Sequence, residues 1–215
     1  MYIPCNFFTP SNDVNLLYKG KVQYAYMPNT TGGIIDDLLV YCLDKETYLL
    51  VVNASNIDKD LNWIIKNKRS ETEIIDISEK TTLLAIQGPN AEKVLSPLTS
   101  LDLSEMPYYS FLKGEVAGVE NVLISKTGYT GAGGFEIYID NKNAKIVWNG
   151  IMITGKEFDI QPVGLAARDT LRLEMGFCLY GNEISEKTSP FEAGLGWITK
   201  FNNPFINSEN LLIEK

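Results

Sequence analysis

Short runs rich in apolar and β-branched residues occupy much of the N-terminal part of the chain, and the first of them alternates weakly with polar residues, which is typical of β-strands. The runs cover residues 21–28, 34–43 and 48–53. Turn-forming residues separate them, with NTTGG at 29–33 and DKE at 44–46. This order of strand, turn and strand predicts an antiparallel meander.

The rest of the chain mixes strand patterns with patterns of helical period. Further strands are predicted at 74–77, 81–86, 107–116 and 198–201, with a hairpin over 120–140. Helices are predicted at 55–68, directly after 88–90, at 141–152, at 164–176 and from 208 onward. Two rounds of strands and helices indicate an α+β fold of antiparallel sheets with packed helices. We expect two intertwined halves, the inner one covering about 55–140.

The strand at 34–43 contains two adjacent aspartates in an otherwise apolar run. Strict alternation puts Asp37 on one face with Ile35, and Asp36 on the other face with Ile34. Both faces are mostly apolar, so at least one carboxylate is expected to be semi-buried. A buried carboxylate must find partners or take up a proton, which favours a functional role for one of the two. The alternative is that both lie at the strand end and are solvated.

The hairpin over 120–140 carries a cluster of glycines at its turn, which are Gly128, Gly131, Gly133 and Gly134. A phosphate-binding glycine loop leads into a helix N-terminus, whereas this one leads into the strand pattern FEIYID. We therefore interpret the glycines as residues that permit tight turns and close backbone approach. Glu136 shares one face of the second strand with Tyr138, and taken alone it is interpreted as a residue on a solvated face.

The stretch 164–197 combines charged residues with clear helix punctuation. Gly176 suits the left-handed end of a first helix. Ser189, Pro190 and Glu192 together suit the start of a second helix with a capping box. The stretch is interpreted either as the wall of a pocket that includes Arg168 or as two amphipathic helices with charged outer faces.

Composition excludes several classes of function. The chain has 215 residues and contains no histidine, which excludes Ser-His-Asp and Cys-His catalysis and every metal site with a histidine ligand. A net charge of −8 argues against a general nucleic-acid binder. Cys5, Cys42 and Cys178 are widely spaced, which favours free thiols in a reducing compartment over a disulfide framework. With no apolar run long enough to span a bilayer and no signal peptide pattern, we expect a soluble intracellular protein.

The chain resembles the T-protein of the glycine cleavage system, the tetrahydrofolate-dependent aminomethyltransferase family. The matching segments follow in the right order along nearly the whole chain, and they are KVQYAYMPNTTGGIIDDLLVY (21–41), YLLVVNASNIDKDLNWI (48–64), LLAIQGP (83–89), TGYTGAGGFEIYI (127–139), GLAARDTLRLEMGFCLYGN (164–182) and SPFEAGLGW (189–197). Any one of these segments is a weak signal, and together they are a strong one.

The resemblance implies a role for seven residues. The family's essential aspartate corresponds to Asp37, the second of the GG-x-x-DD-L pair. Its pterin-binding glutamate corresponds to Glu136, and its site arginine corresponds to Arg168. The positions that line the folate pocket in relatives correspond to Tyr24, Asn53, Tyr129 and Trp197.

The resemblance also implies a reaction, a fold and partners. The family moves a one-carbon unit from the aminomethyl-lipoyl arm of H-protein to tetrahydrofolate and releases ammonia, with folate as co-substrate and no metal. Its module consists of ferredoxin-like α+β halves. We expect no nucleic-acid or membrane partner, and a cytoplasmic location in a bacterium or the mitochondrial matrix in a eukaryote. The family's N-terminal segment and C-terminal barrel domain find no counterpart in residues 1–215, so we expect a partial module.

Two alternatives share the folate-binding module. One is the folate-binding domain of sarcosine- or dimethylglycine-oxidising proteins, which is typically fused to a flavin-binding domain with a Gly-rich dinucleotide fingerprint that this sequence lacks. The other is a non-enzymatic accessory protein of the iron–sulfur maintenance type. Those relatives carry a KGCYxGQE-type motif, whereas this chain has GFCLYGNEI at 176–184, which favours the transferase.

Overall fold

The computed structural model describes residues 2–3, 10–68, 72–202 and 204–215. The chain folds into two compact units. The first unit combines Met1–Asp76 with Cys178–Lys215, and the second is Ile77–Phe177. The second unit is thus inserted into the sequence of the first. These bounds differ from the predicted inner half at about 55–140, because the helix after the third strand of the meander packs with the core of the first unit.

The first unit contains a four-stranded sheet. Its strands are β1 (Tyr2–Ile3), β2 (Val22–Pro28), β3 (Ile34–Asp44) and β4 (Thr47–Val52). They lie in the order β1-β4-β3-β2, and each neighbouring pair is antiparallel. The predicted meander is therefore confirmed in β2, β3 and β4, and the NTTGG and DKE segments form its turns.

The α-helices in the described part of this unit are α1 (Ile57–Asn67) and the C-terminal α5 (Ser208–Glu214). Ile64 of α1 is fully buried and packs in one cluster with Leu38, Val40 and Leu50 of the sheet. A second cluster joins Tyr26 to residues of the C-terminal part of the unit and of β3, namely Ile34, Ile184, Leu195 and Ile198. The sheet is thus covered on both faces, as the apolar pattern of 34–43 predicts.

A β-bulge interrupts the alternation of β3 beside the two aspartates. Met27 pairs with Asp36 and Pro28 pairs with Ile34, so Ile35 is the extra residue between them. Ile35 consequently packs in the same cluster as Leu38, while Ile34 packs with Tyr26 on the other side. The face assignment made from strict alternation is wrong for these two isoleucines. The extra residue shifts the alternation by one, so each isoleucine lies on the face opposite to the predicted one.

The second unit also contains a four-stranded antiparallel sheet. Its strands are β5 (Thr81–Gln87), β6 (Phe111–Val116), β7 (Val119–Ser125) and β8 (Gly134–Asp140), in the order β5-β8-β7-β6. The helices of this unit are α2 (Ala91–Leu95), α3 (Ala144–Gly155) and α4 (Leu165–Glu174). Its core joins the sheet to α2 and α3 through buried residues that include Val94, Ile124, Phe135, Ile137 and Ile151. The glycine-rich segment leads into β8, which pairs antiparallel with β7, so the predicted hairpin over 120–140 is confirmed.

Short 3₁₀ helices complete the described secondary structure. They are Val14–Leu16, Ala54–Asn56, Ser78–Lys80, Ser96–Leu98, Asn141–Asn143, Lys156–Phe158 and Leu195–Ile198. Cys42 and Cys178 are free thiols, whereas Cys5 lies outside the described residues. In the described part of the chain, no helix has both the length and the apolar character needed to cross a membrane.

Two predicted strands are absent from the structure. At 74–77 only Ile75 makes an isolated bridge, and its side chain is 45% exposed, so the pairing does not extend into a strand in the described part of the chain. At 198–201 the chain instead ends a 3₁₀ helix, because the Thr199 hydroxyl bonds back to the Leu195 carbonyl at 3.0 Å.

The stretch 164–197 also departs from both amphipathic-helix expectations. In α4 the buried residue is Arg172, which is 2% exposed, whereas Leu165 is 81% and Leu173 is 58% exposed. At 189–197 the capping contact forms, with the Ser189 N–H donating to the Glu192 carboxylate at 3.1 Å. No α-helix follows it, because Gly194 adopts a left-handed conformation with φ of 70° and redirects the chain.

Candidate functional site

The predicted catalytic residue, Asp37, lies in the first half of β3 and is held through both of its carboxylate oxygens. The Tyr24 hydroxyl donates to Oδ2 at 2.8 Å. The Asn53 amide donates to Oδ1, also at 2.8 Å. Antiparallel pairing puts Tyr24 opposite Leu39, two residues along from Asp37 on the same face, which is the diagonal reach of a long side chain.

The surroundings of Asp37 raise its pKa above that of an ordinary aspartate. Burial raises the pKa of the Asp37 carboxyl, and the nearby Asp36 carboxylate raises it further. The hydrogen bonds from Tyr24 and Asn53 act against this rise because they stabilise the anion. The result is a half-buried acid in a fixed orientation, with some of its surface still accessible.

The remaining predicted residue of this region, Trp197, lies with Asp37 in the first unit and is 62% exposed. Its ring centroid lies 6.0 Å from that of Tyr24, with an angle of 36° between the ring planes. Tyr24, Asp37, Asn53 and Trp197 are thus linked by direct contacts within one unit.

The prediction of one semi-buried aspartate understates the burial of this pair. Asp36 is fully buried with 0% exposure, so the more buried carboxyl is the one without an assigned role. The alternative in which both aspartates are solvated at the strand end is wrong, because the strand begins before them and is covered on both faces.

The predicted pterin ligand, Glu136, lies on β8 in the second unit and is half-buried. The Thr127 hydroxyl donates to its Oε2 at 2.5 Å. Burial raises the pKa of the Glu136 carboxyl, while the Thr127 hydrogen bond and the positive charge of Arg168 oppose that rise. The interpretation of Glu136 as a residue on a solvated face is therefore wrong, since loop residues that follow β7 cover it.

Arg168 and Tyr129 form a flat surface in the same unit. The Arg168 guanidinium carbon lies 4.4 Å from the centroid of the Tyr129 ring, which is a cation–π contact. The ring of Phe177 stacks on Tyr129 with centroids 5.8 Å apart and an interplanar angle of 22°. The left-handed Gly176, with φ of 68°, ends α4 and delivers Phe177 to this stack.

Glycines in the hairpin loop allow the backbone to approach Gln87 closely. A Cβ at Gly128 would lie 2.0 Å from the Gln87 side-chain oxygen, and one at Gly134 would lie 2.3 Å from the Ile86 carbonyl oxygen. The Gln87 amide donates to the backbone carbonyls of Thr127 and Phe135, which fixes the loop beside Glu136. The glycines therefore shape the surroundings of the carboxylate, as the sequence interpretation requires.

Three residues around these carboxylates escape sequence reasoning. Thr127 bonds to Glu136 and Phe177 stacks on Tyr129, and both contacts depend on how a turn and a helix end are folded. Asp60 on α1 is fully buried near Asp36, although an acidic residue in the first turn of a helix normally indicates a solvent-facing position. Over the described residues, no group of three or more potential metal ligands is brought together.

Each unit therefore gathers its own part of the predicted set. The first holds an acid fixed by a tyrosine and an amide, beside an exposed indole. The second holds a half-buried carboxylate beside a cation and two stacked rings. The first arrangement can stabilise positive charge, and the second can accept paired N–H groups and cover the face of a flat ring.

The chain is similar to known proteins in sequence and in fold. Residues 9–203 match the family model described as GCVT N-terminal domain. An aminomethyltransferase of Flavobacterium psychrophilum is 57% identical over 205 residues, which is 95% of this chain and 57% of that protein. An aminomethyltransferase of Bacteroides thetaiotaomicron is 56% identical, again over 95% of this chain and 57% of the relative.

A solved structure is also similar. The glycine cleavage system aminomethyltransferase T from Bartonella henselae superposes with a TM-score of 0.87 at 30% sequence identity, over 99% of this chain and 59% of that one. The chain thus spans less than two thirds of the length of these relatives. Because the family model covers most of the sequence and the fold agrees, the chain belongs to the GCVT N-terminal domain family.

Proposed function

We propose that this chain carries the folate-binding and one-carbon-transferring part of an aminomethyltransferase of the glycine cleavage system. The reaction takes an aminomethyl group from the lipoyl arm of H-protein, passes the one-carbon unit to N5 of tetrahydrofolate and releases ammonia. The observation that carries the proposal is the Asp37 carboxylate, half-buried and held on both oxygens by Tyr24 and Asn53.

Asp37 is suited to stabilise positive charge that develops on the transferred carbon and its nitrogen. A carboxylate with poor access to water acts on such charge more strongly than one in bulk solvent, because the local dielectric is low. Its hydrogen bonds fix the direction of the lone pairs before substrate arrives, so little reorganisation is needed. Such an effect amounts to a few kcal/mol, or about 10²–10³ in rate.

Glu136 is suited to grip the pterin ring of the co-substrate. A pterin edge presents an N–H and an amino group side by side, and a carboxylate accepts both in a bidentate pair. Thr127 holds one oxygen of Glu136, and the positive charge of Arg168 favours the ionised form. The Arg168–Tyr129–Phe177 stack offers flat surfaces against which a bicyclic ring can lie.

The partner in this proposal is lipoylated H-protein, and the compartment is the cytoplasm of a bacterium or the mitochondrial matrix of a eukaryote. The relatives reported above are bacterial, which favours the cytoplasm. No metal takes part in the proposed reaction. The proposed donor and acceptor groups are the carboxylates, hydroxyls and amides already described.

The experiment is a transfer assay with Asp37→Asn in a chain extended to the length of its relatives. Asparagine keeps the shape and removes the charge, so we expect transfer to be abolished while tetrahydrofolate binding is retained. The matched control is Asp44→Asn, because Asp44 lies at the end of the same strand and its ion pair with Lys19 is exposed. Near-wild-type turnover in Asp37→Asn contradicts the role of the carboxylate.

A further inference from the structure

Two buried carboxyl groups, those of Asp36 and Asp60, lie next to the site of Asp37. Asp36 on β3 and Asp60 on α1 are both 0% exposed. Oδ1 of Asp36 accepts from the Asn53 amide at 2.8 Å and from the Asp37 backbone N–H at 3.0 Å. Among the described residues, no ordinary donor reaches Oδ2 of Asp36 or either oxygen of Asp60.

The two carboxyl groups that carry these oxygens are neighbours. The Asp60 carboxyl lies within hydrogen-bonding reach of Asp36, and two carboxylates cannot bond without a proton between them. Three buried acceptor atoms with no donor are costly, and one proton shared between the two carboxyl groups gives two of these atoms a hydrogen-bond partner.

The charges around Asp60 agree with a retained proton. Burial, the hydrogen bond with Asp36 and the negative charges of Asp36 and Asp37 raise the pKa of Asp60 to about 9. Lys59 acts in the opposite direction. Its ammonium group is directed elsewhere, since it donates to the Ile35 carbonyl and lies 3.5 Å from the centroid of the Tyr180 ring.

We propose that Asp60 and Asp36 share one proton, and that this pair is a positioning device for Asp37. The Asp60 hydroxyl donates to Oδ2 of Asp36. Oδ1 of Asp36 accepts one N–H of the Asn53 amide, and the other N–H donates to Oδ1 of Asp37. Asp60 therefore fixes Asp36, Asp36 fixes the amide, and the amide fixes the acid assigned to transfer. The functional meaning of this relay rests on the proposed function, whereas the shared proton does not.

Substitutions at Asp60 separate the proton from the packing. Asparagine retains a donor toward Asp36 but cannot ionise, and alanine removes the donor altogether. Asp58→Asn is the matched control, because Asp58 lies in the first turn of the same helix and is exposed. All three variants are compared in the 215-residue chain with ¹³C-labelled aspartate carboxyl groups, so that neither folate nor transfer is needed.

The test is the titration of each carboxyl resonance by NMR. We expect one aspartate of the wild type and of Asp58→Asn to keep its proton at neutral pH, and that resonance to be missing in Asp60→Asn. The Asp37 resonance is assigned as the one that disappears in Asp37→Asn. We expect its titration midpoint to differ from the wild type in Asp60→Ala and to match the wild type in Asp60→Asn. Unfolding of the wild type at neutral pH should release about one proton more than unfolding of Asp60→Asn.

Three results overturn the proposal. If every aspartate of the wild type is ionised at neutral pH, no proton is shared. If Asp37 titrates identically in wild type and Asp60→Ala, the relay does not act on Asp37. If unfolding of Asp60→Asn releases as many protons as unfolding of the wild type, no proton is shared. This third result does not depend on whether Asp60→Ala folds. A failure of folate binding or transfer leaves all these readouts unchanged, so it counts against the proposed function alone.

Discussion

Glu136 and Asp37 are both carboxyl groups whose burial raises their pKa, and their partners differ in kind. Asp37 is held by a neutral hydroxyl and a neutral amide, with a second acid nearby. Glu136 is held by a hydroxyl and lies in the field of the Arg168 cation. A nearby cation favours the anion, and a nearby acid opposes it. This difference suits Glu136 to bind the pterin ring as an anion, and it suits Asp37 to stabilise positive charge that develops during transfer.

The raised pKa of Glu136 predicts opposite trends in stability and binding. The folded-state pKa exceeds the ordinary value of 4.5, so its contribution to stability is complete below that value and is lost as the pH rises through the folded pKa. In the proposed function Glu136 binds tetrahydrofolate as the anion, so affinity should fall as the pH falls through the same folded pKa.

This prediction is checked by titrating the chain with tetrahydrofolate at a series of values from about pH 8 to about pH 5. In Glu136→Gln the remaining weak affinity should lose this acid-side decline. An identical decline in both proteins would assign the proton to another group.

At the scale of elements, the end of α4 depends on one backbone conformation. Gly176 has φ of 68°, and its N–H bonds to the Leu173 carbonyl at 3.0 Å. A Cβ added there meets no atom within 4 Å, so any cost of substitution comes from the backbone alone.

We therefore predict that Gly176→Ala lowers the free energy of unfolding by about 1–2 kcal/mol, and that Gly176→Asn lowers it by less. Urea denaturation of the two variants beside the wild type measures the difference. Equal stability of alanine and glycine at this position contradicts the assigned conformation.

Elements with strong periodic patterns were predictable from sequence, and their local irregularities were not. The strands at 22–28, 34–44 and 47–52 form where the apolar and β-branched runs predict them, because each has a paired neighbour and buried residues. The bulge at Ile35 depends on how two strands pair, and no property of β3 alone specifies it. The runs at 74–77 and 198–201 show the same limit, since each contains strand-forming residues but forms no strand among the described residues.

The candidate site was predictable as a set of residues more than as a network. Resemblance selects Asp37 and Glu136, and both have the buried, hydrogen-bonded surroundings expected of functional carboxylates. The burial of Asp60 could not be predicted from sequence, because its neighbours resemble the first turn of a solvent-facing helix. Its burial becomes evident only when α1 packs on the sheet beside Asp36.

At the scale of the whole molecule, the predicted site residues divide between two units that each have their own sheet and core. Tyr24, Asp37, Asn53 and Trp197 belong to the first unit, and Tyr129, Glu136 and Arg168 belong to the second. Each group is held by contacts within its own unit. The chain spans 57% of the aminomethyltransferases that it matches, so its own capacity to bind folate is the property on which the functional account depends.

That capacity is measured most directly by calorimetric titration of the 215-residue chain with tetrahydrofolate. We predict saturable binding that weakens about tenfold or more in Glu136→Gln, since a hydrogen bond to a charged group contributes about 1.5–3 kcal/mol. Glu120→Gln, an exposed site on β7, should bind as the wild type does. Equal affinity of Glu136→Gln and wild type, or no saturable heat in the wild type, would contradict the assignment of this chain as a folate-binding module.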